Sequence, residues 1–237
     1  MPSLLAVFAL ARDSGEQPGR GGHSRLRALA RSCKNRLGRL LFERGLDDTG
    51  GRDDLQTFGL DHPERREYQP SGWAFLARAL RRVEVDSDDV FLDIGSGKGR
   101  VVLQAAKRPF RRVIGVELVE ELNATARRNI ERSRRQLVCR DVELVTADAA
   151  KYRIPDDATV IYLYSPFSGD HFRQLLRNIL ASLDSRARRL TLIYVNPVMA
   201  KEIEATGRFE RTDVIKPLRP DPDLTSTVYV YSTKTPH

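Results

Sequence analysis

A glycine-dense turn is the segment of this sequence whose residue types and spacing most clearly indicate chemistry. Residues 90–100 read VFLDIGSGKGR, an apolar strand pattern followed by a turn and then by a helical pattern. Glycine permits positive φ angles and lets a ligand approach the backbone closely. Ligands of α/β sheets bind outside the carboxyl ends of the strands. The segment therefore predicts a binding loop for a nucleotide-like ligand.

The glycine spacing argues against a phosphate ligand. Gly95, Gly97 and Gly99 form GxGxG, and Arg100 stands where a dinucleotide fingerprint needs a small residue. A phosphate-binding P-loop needs Ser or Thr after its lysine, whereas the lysine of this loop precedes a glycine. Asp93, two positions before the first glycine, would repel a pyrophosphate and attract an ammonium group. This combination points to S-adenosylmethionine, and a glycine turn without a ligand is the alternative.

Two further carboxylates follow the next predicted strands. Glu117 ends the second strand, where a carboxylate can accept hydrogen bonds from both ribose hydroxyls, as it also does in dinucleotide-binding proteins. Asp148 and Ala149 follow the third strand and are predicted to lie beside the adenine. A solvated loop residue is the alternative interpretation of Asp148.

Alternating strand and helix patterns must position these residues. The apolar, β-branched runs predict a doubly wound, mostly parallel seven-stranded α/β sheet with an antiparallel last strand. The predicted strands cover residues 90–94, 112–116, 142–146, 160–164, 189–195, 209–216 and 225–232. The predicted helices cover residues 72–83, 101–107, 120–136, 170–182 and 198–206.

The segment from residue 68 to residue 232 resembles the class I S-adenosylmethionine-dependent methyltransferases, which have a Rossmann-like fold. The motifs that carry the resemblance are DIGSGKGR at 93–100, VIGVEL at 113–118, TADA at 146–149 and YSPF at 164–167. Within this class, GSGKGRVVLQAA followed by GVEL is similar to the catalytic core of telomeric-silencing type histone lysine methyltransferases and their bacterial relatives.

The resemblance implies roles for the residues that match these motifs. The three glycines would line the methionine part of the cofactor, Asp93 would meet its amino group, and Glu117 its ribose. Tyr68, with Pro70, matches a Tyr-x-Pro segment at the cofactor lip. The full set of expected cofactor-binding residues is Tyr68, Asp93, Gly95, Ser96, Gly97, Gly99, Glu117, Leu118, Asp148 and Ala149.

The expected catalytic residues follow the fourth strand. Relatives that methylate amines and amides carry an asparagine there, whereas this chain has Tyr164-Ser165-Pro166-Phe167. A serine hydroxyl still accepts a hydrogen bond, although it lacks the paired donor and acceptor of an amide. We expect Ser165 and the carbonyl of Tyr164 to orient the acceptor nitrogen, with Tyr164 and Phe167 as walls that exclude water.

The predicted function is methyl transfer to an amine nitrogen, on protein lysine or a similar amine. Two alternatives stay open, namely an N- or O-methyltransferase for a small molecule and a cofactor-binding protein without turnover. No basic patch with interleaved aromatic residues supports a nucleic-acid groove in the catalytic half.

The positive charge is concentrated near the beginning of the chain. Residues 1–44 contain nine basic and three acidic side chains, while the formal net charge of all 237 residues is +8. We predict a disordered basic arm over 1–24, a basic amphipathic helix and linker over 25–67, and the methyltransferase domain over 68–237. Such an arm suits an anionic partner, or it is a solvated tail.

Cysteine and histidine usage predicts neither a disulfide framework nor a metal site. Cys33 and Cys139 are far apart, and the four histidines are scattered singly (His23, His62, His171 and His237). The longest apolar run near the beginning, residues 4–11, is far shorter than the roughly 20 residues of a membrane helix. We expect a cytoplasmic protein without a membrane span.

Overall fold

The computed structural model describes residues 71–165, 167–217 and 226–234 of the chain. The predicted basic arm, the amphipathic helix and linker, Tyr68 and Pro70 lie outside the described residues. So does Pro166 of the YSPF motif.

A seven-stranded sheet forms the centre of the fold, in the order β3-β2-β1-β4-β5-β7-β6. All neighbouring strands pair in parallel except β7, which runs antiparallel to both β5 and β6. The strands are β1 (Val90–Ile94), β2 (Arg112–Glu117), β3 (Val142–Thr146), β4 (Val160–Tyr164), β5 (Thr191–Val195), β6 (Phe209–Ile215) and β7 (Val228–Thr233). The predicted fold class is confirmed, including the antiparallel last strand.

Five α-helices and one 3₁₀ turn accompany the sheet within the described residues. They are α1 (Trp73–Ala79), α2 (Arg100–Ala106), α3 (Glu120–Ser133), the 3₁₀ turn Arg134–Gln136, α4 (Gly169–Ser185) and α5 (Ala200–Ala205). No helix among the described residues combines the length and apolar character that crossing a membrane requires.

The predicted elements agree with the observed ones in type, and they differ in a few boundaries. The first, third and fourth strands have the predicted ends. Helix α1 stops at Ala79, short of the predicted residue 83, and the residues after it form a turn and bends. Helix α3 stops at Ser133, and its predicted last turn is the 3₁₀ turn. The pattern did not predict that β7 inserts between β5 and β6.

Both faces of the sheet are covered by apolar residues, as its parallel strands require. Alternate residues of a strand point to opposite faces, so Val90, Leu92 and Ile94 join one core cluster and Phe91 joins the other. The cluster with Phe91 includes α1 and α2, and the opposite cluster includes α4 and α5. The third strand has half-buried and exposed side chains because it is a sheet edge.

Gly115 of β2 lies where three neighbours leave no room for a side chain. A Cβ at this position would be 2.8 Å from Val102 Cγ2, 2.9 Å from Leu144 Cδ2 and 2.9 Å from Ser96 Oγ. We expect Gly115→Ala to lower the free energy of unfolding by about 1–3 kcal/mol, the usual cost of overpacking a filled core. Urea denaturation measures this change, and an unaltered midpoint would contradict the packing described here.

Candidate active site

The carboxyl ends of β1 and β2 bring two carboxylates to one face of the sheet. Asp93 pairs with Gly115 in the β1–β2 register, and Glu117 lies two residues further along β2. Because side chains of a strand alternate between faces, Asp93, Gly115 and Glu117 share the face that also carries Phe91. Both carboxylates are almost fully buried. The sequence placed them at the ends of neighbouring strands, and the sheet brings them together.

The glycine loop after β1 turns back over the end of β2. The amides of Gly95 and Ser96 donate hydrogen bonds of 2.9 and 3.0 Å to the carbonyl of Val116. Gly95, Gly97 and Gly99 have φ angles of 78°, 52° and 81°, which glycine adopts without steric cost. Gly95 is exposed, whereas Ser96 is buried and its hydroxyl has no hydrogen-bond partner among the described residues.

Asp93 is a buried carboxylate that lacks a partner for one of its oxygens. Its side chain is 2% exposed, and Oδ2 makes no hydrogen bond within the described part of the chain. Burial raises the pKa of Asp93 well above its usual value, and the nearby charge of Glu117 raises this pKa further. A buried carboxylate is costly unless a cation or hydrogen-bond donors satisfy it. The site therefore has the chemistry to receive a cationic group at Asp93.

Glu117 connects β2 to the glycine loop. Its Oε2 accepts a 2.8 Å hydrogen bond from the Gly97 amide, and its Oε1 accepts a 3.0 Å bond from the Val119 amide. Burial raises the pKa of Glu117, and these backbone hydrogen bonds oppose the rise. A carboxylate offers about four lone-pair sites, so one remains for a ligand hydroxyl beside the backbone amides of Gly97, Leu118 and Val119. Leu118, the neighbouring residue, is partly exposed at this strand end.

Asp148 and Ala149 lie directly beyond β3, beside the first two strand ends. The Ala147 amide donates to the carbonyl of Glu117 at 2.9 Å, which joins this segment to the site. Asp148 Oδ1 accepts a 2.9 Å bond from the Ala150 amide. Asp148 also borders a cavity of about 850 Å³ whose opposite wall runs along α4 from Asp170 to Ser185.

The predicted acceptor residues lie at the end of β4, the other neighbour of β1. Tyr164 is partly buried, and its ring centroid is 5.9 Å from that of Phe75 in α1. Phe167 is 8% exposed, and its ring lies 6.3 Å from the His171 ring. Ser165 is 2% exposed, and its hydroxyl donates to a backbone carbonyl at the end of β5. These residues, Asp93 and Glu117 therefore share the carboxyl-terminal edge of the sheet.

The sequence analysis did not identify several polar residues near this edge of the sheet, because only the tertiary fold shows their contacts. Ser71 Oγ and the Tyr162 hydroxyl, which are 91 residues apart in the chain, lie 2.5 Å from each other. Arg100 is buried, and its Nη1 donates to the carbonyl of Ser71 at 3.1 Å. In α3, Asn129 Nδ2 donates to the Lys98 carbonyl of the glycine loop at 3.1 Å.

Comparison with known proteins relates this chain to methyltransferases. Residues 91–186 match the model of a methyltransferase domain family. The chain is 28% identical over 165 residues to a protein-lysine N-methyltransferase of Saccharolobus islandicus (strain REY15A), covering 69% of this chain and 91% of that relative.

Two solved structures extend the comparison to the fold. An RNA methyltransferase from Salinibacter ruber, in complex with S-adenosyl-L-homocysteine, has a TM-score of 0.50 and 27% identity, covering 68% of this chain and 93% of that one. The YcgJ protein from Bacillus subtilis has a TM-score of 0.52 and 13% identity, covering 68% of this chain and 98% of that chain, and this likeness concerns the fold alone.

The fold, the matched domain and these relatives identify the chain as an S-adenosylmethionine-dependent methyltransferase. The chain is thus an enzyme of one-carbon group transfer, with S-adenosylmethionine as its cofactor. The residues fit this cofactor, because its ammonium group would supply a cation for buried Asp93 and the positive φ angles of the glycine loop would let a ligand approach its backbone. The individual cofactor contacts stay predictions. No cluster of three or more potential metal-ligating side chains occurs among the residues described.

Proposed function

We propose that this enzyme transfers a methyl group to an amine nitrogen of a protein, with the lysine side chain as the acceptor. The proposal draws on the relative named as a protein-lysine N-methyltransferase. The structural observation that carries it is the set of residues that follow β4 and β5, at the carboxyl-terminal edge of the sheet. That edge offers aromatic rings, backbone carbonyls and uncharged polar side chains, which suit a neutral amine nucleophile.

Methyl transfer requires little chemistry from the residues at this edge of the sheet. Bound S-adenosylmethionine supplies an already activated methyl group, so the protein must mainly orient a neutral nucleophile. Orientation of well-placed reactants lowers such barriers by about 7–11 kcal/mol. Tyr164 and Phe167 exclude water from the reacting atoms, and the carbonyl of Tyr164 accepts a hydrogen bond from the acceptor nitrogen. The proton of a lysine ammonium leaves to solvent before transfer.

The charge at the rim is consistent with a cationic side chain that approaches from solvent. Asp170, in the first turn of α4, has a side chain that is 85% exposed and pairs with Arg173 at 2.8 Å. Glu202 of α5 is 3.8 Å from the same arginine. Arg173 offsets one of these two negative charges, and the remaining charge attracts an approaching lysine by an effect that should weaken with salt.

RNA is the second candidate acceptor, because the chain is also 27% identical to an RNA methyltransferase. A small-molecule amine or hydroxyl is a third. One experiment distinguishes these three candidate acceptors. The purified full chain is incubated with methyl-labelled S-adenosylmethionine and host lysate. The label is then tested for protease sensitivity, for nuclease sensitivity and for size.

We expect the label in protease-sensitive bands, with methylated lysine after acid hydrolysis. Phe167→Ala should reduce this labelling at least tenfold, while the matched variant Phe110→Ala, in the core cluster away from the strand ends, reports the effect of lost stability alone. Label confined to RNA or to the small-molecule fraction would refute the proposal.

The role of the basic segment is tested in the same assay. Residues 1–44 are proposed to contact an anionic partner, so their deletion should reduce labelling of macromolecules and leave cofactor affinity unchanged. Equal labelling with and without the segment would favour a solvated tail.

A further inference from the structure

Two residues that follow β4 and β5, where the predicted acceptor residues lie, have backbone conformations that are unfavourable for any residue with a side chain. Ser165 has φ 37° and Asn196 has φ 52°, and they are the non-glycine residues with positive φ in the described ranges. Each directly follows a strand, and the last paired residues of those strands are Tyr164 and Val195. Residues with a side chain adopt such conformations rarely, asparagine more readily than serine, and they persist where the surrounding structure imposes them, often at functional sites.

Hydrogen bonds from three directions hold the backbone of Asn196. Its amide donates to the Thr227 carbonyl at 2.9 Å, and its carbonyl accepts from the Val198 amide at 2.8 Å. The Ser165 hydroxyl has one proton, which it donates to the same Asn196 carbonyl, and it also lies 3.2 Å from the carbonyl of Val195. The hydroxyl that the sequence predicted for the acceptor nitrogen thus donates within the protein.

The side chain of Asn196 is placed differently. The residue is partly exposed, and its side-chain amide makes no hydrogen bond within the part of the chain that the structure describes. An amide provides both a donor and an acceptor, whereas a serine hydroxyl that donates its one proton to a carbonyl keeps only acceptor lone pairs. The β5 end lies two strand spacings from the β1 end that carries Asp93, roughly 10 Å.

We propose that Asn196 binds the methyl acceptor, with its Oδ1 accepting a hydrogen bond from the acceptor nitrogen, and that Ser165 positions Asn196. This inference rests on the proposed amine acceptor. The proposal adds one hydrogen bond and no covalent step.

The decisive variant is Asn196→Gly, because glycine keeps the positive φ without steric cost while removing the amide. We expect kcat/KM for the lysine acceptor to fall about 10- to 100-fold, the effect of one lost hydrogen bond to a reacting group. Cofactor affinity, measured by calorimetry, and the melting temperature should stay unchanged. Asn196→Asp, which keeps an acceptor oxygen, should recover part of the loss.

Two controls separate binding from structure. Val198→Ala changes a side chain that is 48% exposed in the same loop, and it should leave kcat/KM unchanged. Ser165→Ala should cause a smaller loss than Asn196→Gly. The double variant should be no worse than Asn196→Gly alone, because Ser165 acts through Asn196.

Full acceptor kinetics in Asn196→Gly, with wild-type protein labelling lysine, would overturn this inference and leave the proposed function intact. Additive losses in the double variant would refute the positioning role of Ser165. If the wild-type enzyme labels no protein amine, the proposed function and this inference both fail.

Discussion

Asp93→Asn should lower the affinity for S-adenosylmethionine by roughly 100-fold or more, which corresponds to removing one partner of a buried ion pair. The carboxylate is buried and one oxygen lacks a partner within the described residues, so an ammonium group at this position would satisfy it. Asparagine has the same shape and cannot form the ion pair. Isothermal titration calorimetry with S-adenosylmethionine measures the change.

The same variant should be more stable than the wild type in the absence of cofactor. The pKa of Asp93 is raised above its ordinary value of 3.8, so the folded protein holds a proton that the unfolded chain releases. The stabilising contribution of this group is complete below the ordinary pKa and is lost as the pH rises through the raised pKa. Asparagine does not ionise. Its stability advantage over wild type should therefore grow as the pH rises above about 4.

Melting temperatures of cofactor-free wild type and Asp93→Asn across pH 4–8 test this expectation. The matched control is Asp88→Asn, an exposed carboxylate near the opposite end of the same strand, which should change neither the affinity nor the pH dependence. Wild-type cofactor affinity in Asp93→Asn would contradict the assignment of Asp93. A stability difference that shrinks with rising pH would contradict the electrostatic argument.

Gly99→Ala should destabilise the protein by about 2–4 kcal/mol, since it combines a left-handed backbone with a collision. Gly99 has φ +81°, and an added Cβ would lie 2.9 Å from Ala126 Cβ and 3.2 Å from Ala126 Cα in α3. Relief of that contact would move α3 or the glycine loop. Cofactor affinity should therefore fall together with stability.

Gly207→Ala is the matched control for this change. Gly207 has a similar φ of +68°, and an added Cβ there would meet nothing within 4 Å. It reports the backbone cost alone, about 1–2 kcal/mol, with no effect on cofactor affinity. The difference between the two variants in urea denaturation measures the collision with α3. Equal destabilisation would show that the loop tolerates the added methyl group.

The sequence alone was sufficient to predict most of the fold. The ends of β3 and β4 agree with the prediction, and the antiparallel last strand followed from the absence of a helix pattern between the last two strands. The glycine spacing and the nearby carboxylate of Asp93 indicated the correct cofactor. These features are predictable because strand periodicity, turn chemistry and residue charge act over a few neighbouring positions.

Only the tertiary structure decided how distant strand ends meet. Ser165 and Asn196 are 31 residues apart, and no local pattern indicates that the serine hydroxyl donates to the asparagine carbonyl. The insertion of β7 between β5 and β6 likewise depends on which strand edges remain available during packing. Sequence periodicity determined which segments became strands and what chemistry each strand end carried. The lateral order of the sheet decided which ends became neighbours, because that order is set by long-range packing across the whole domain.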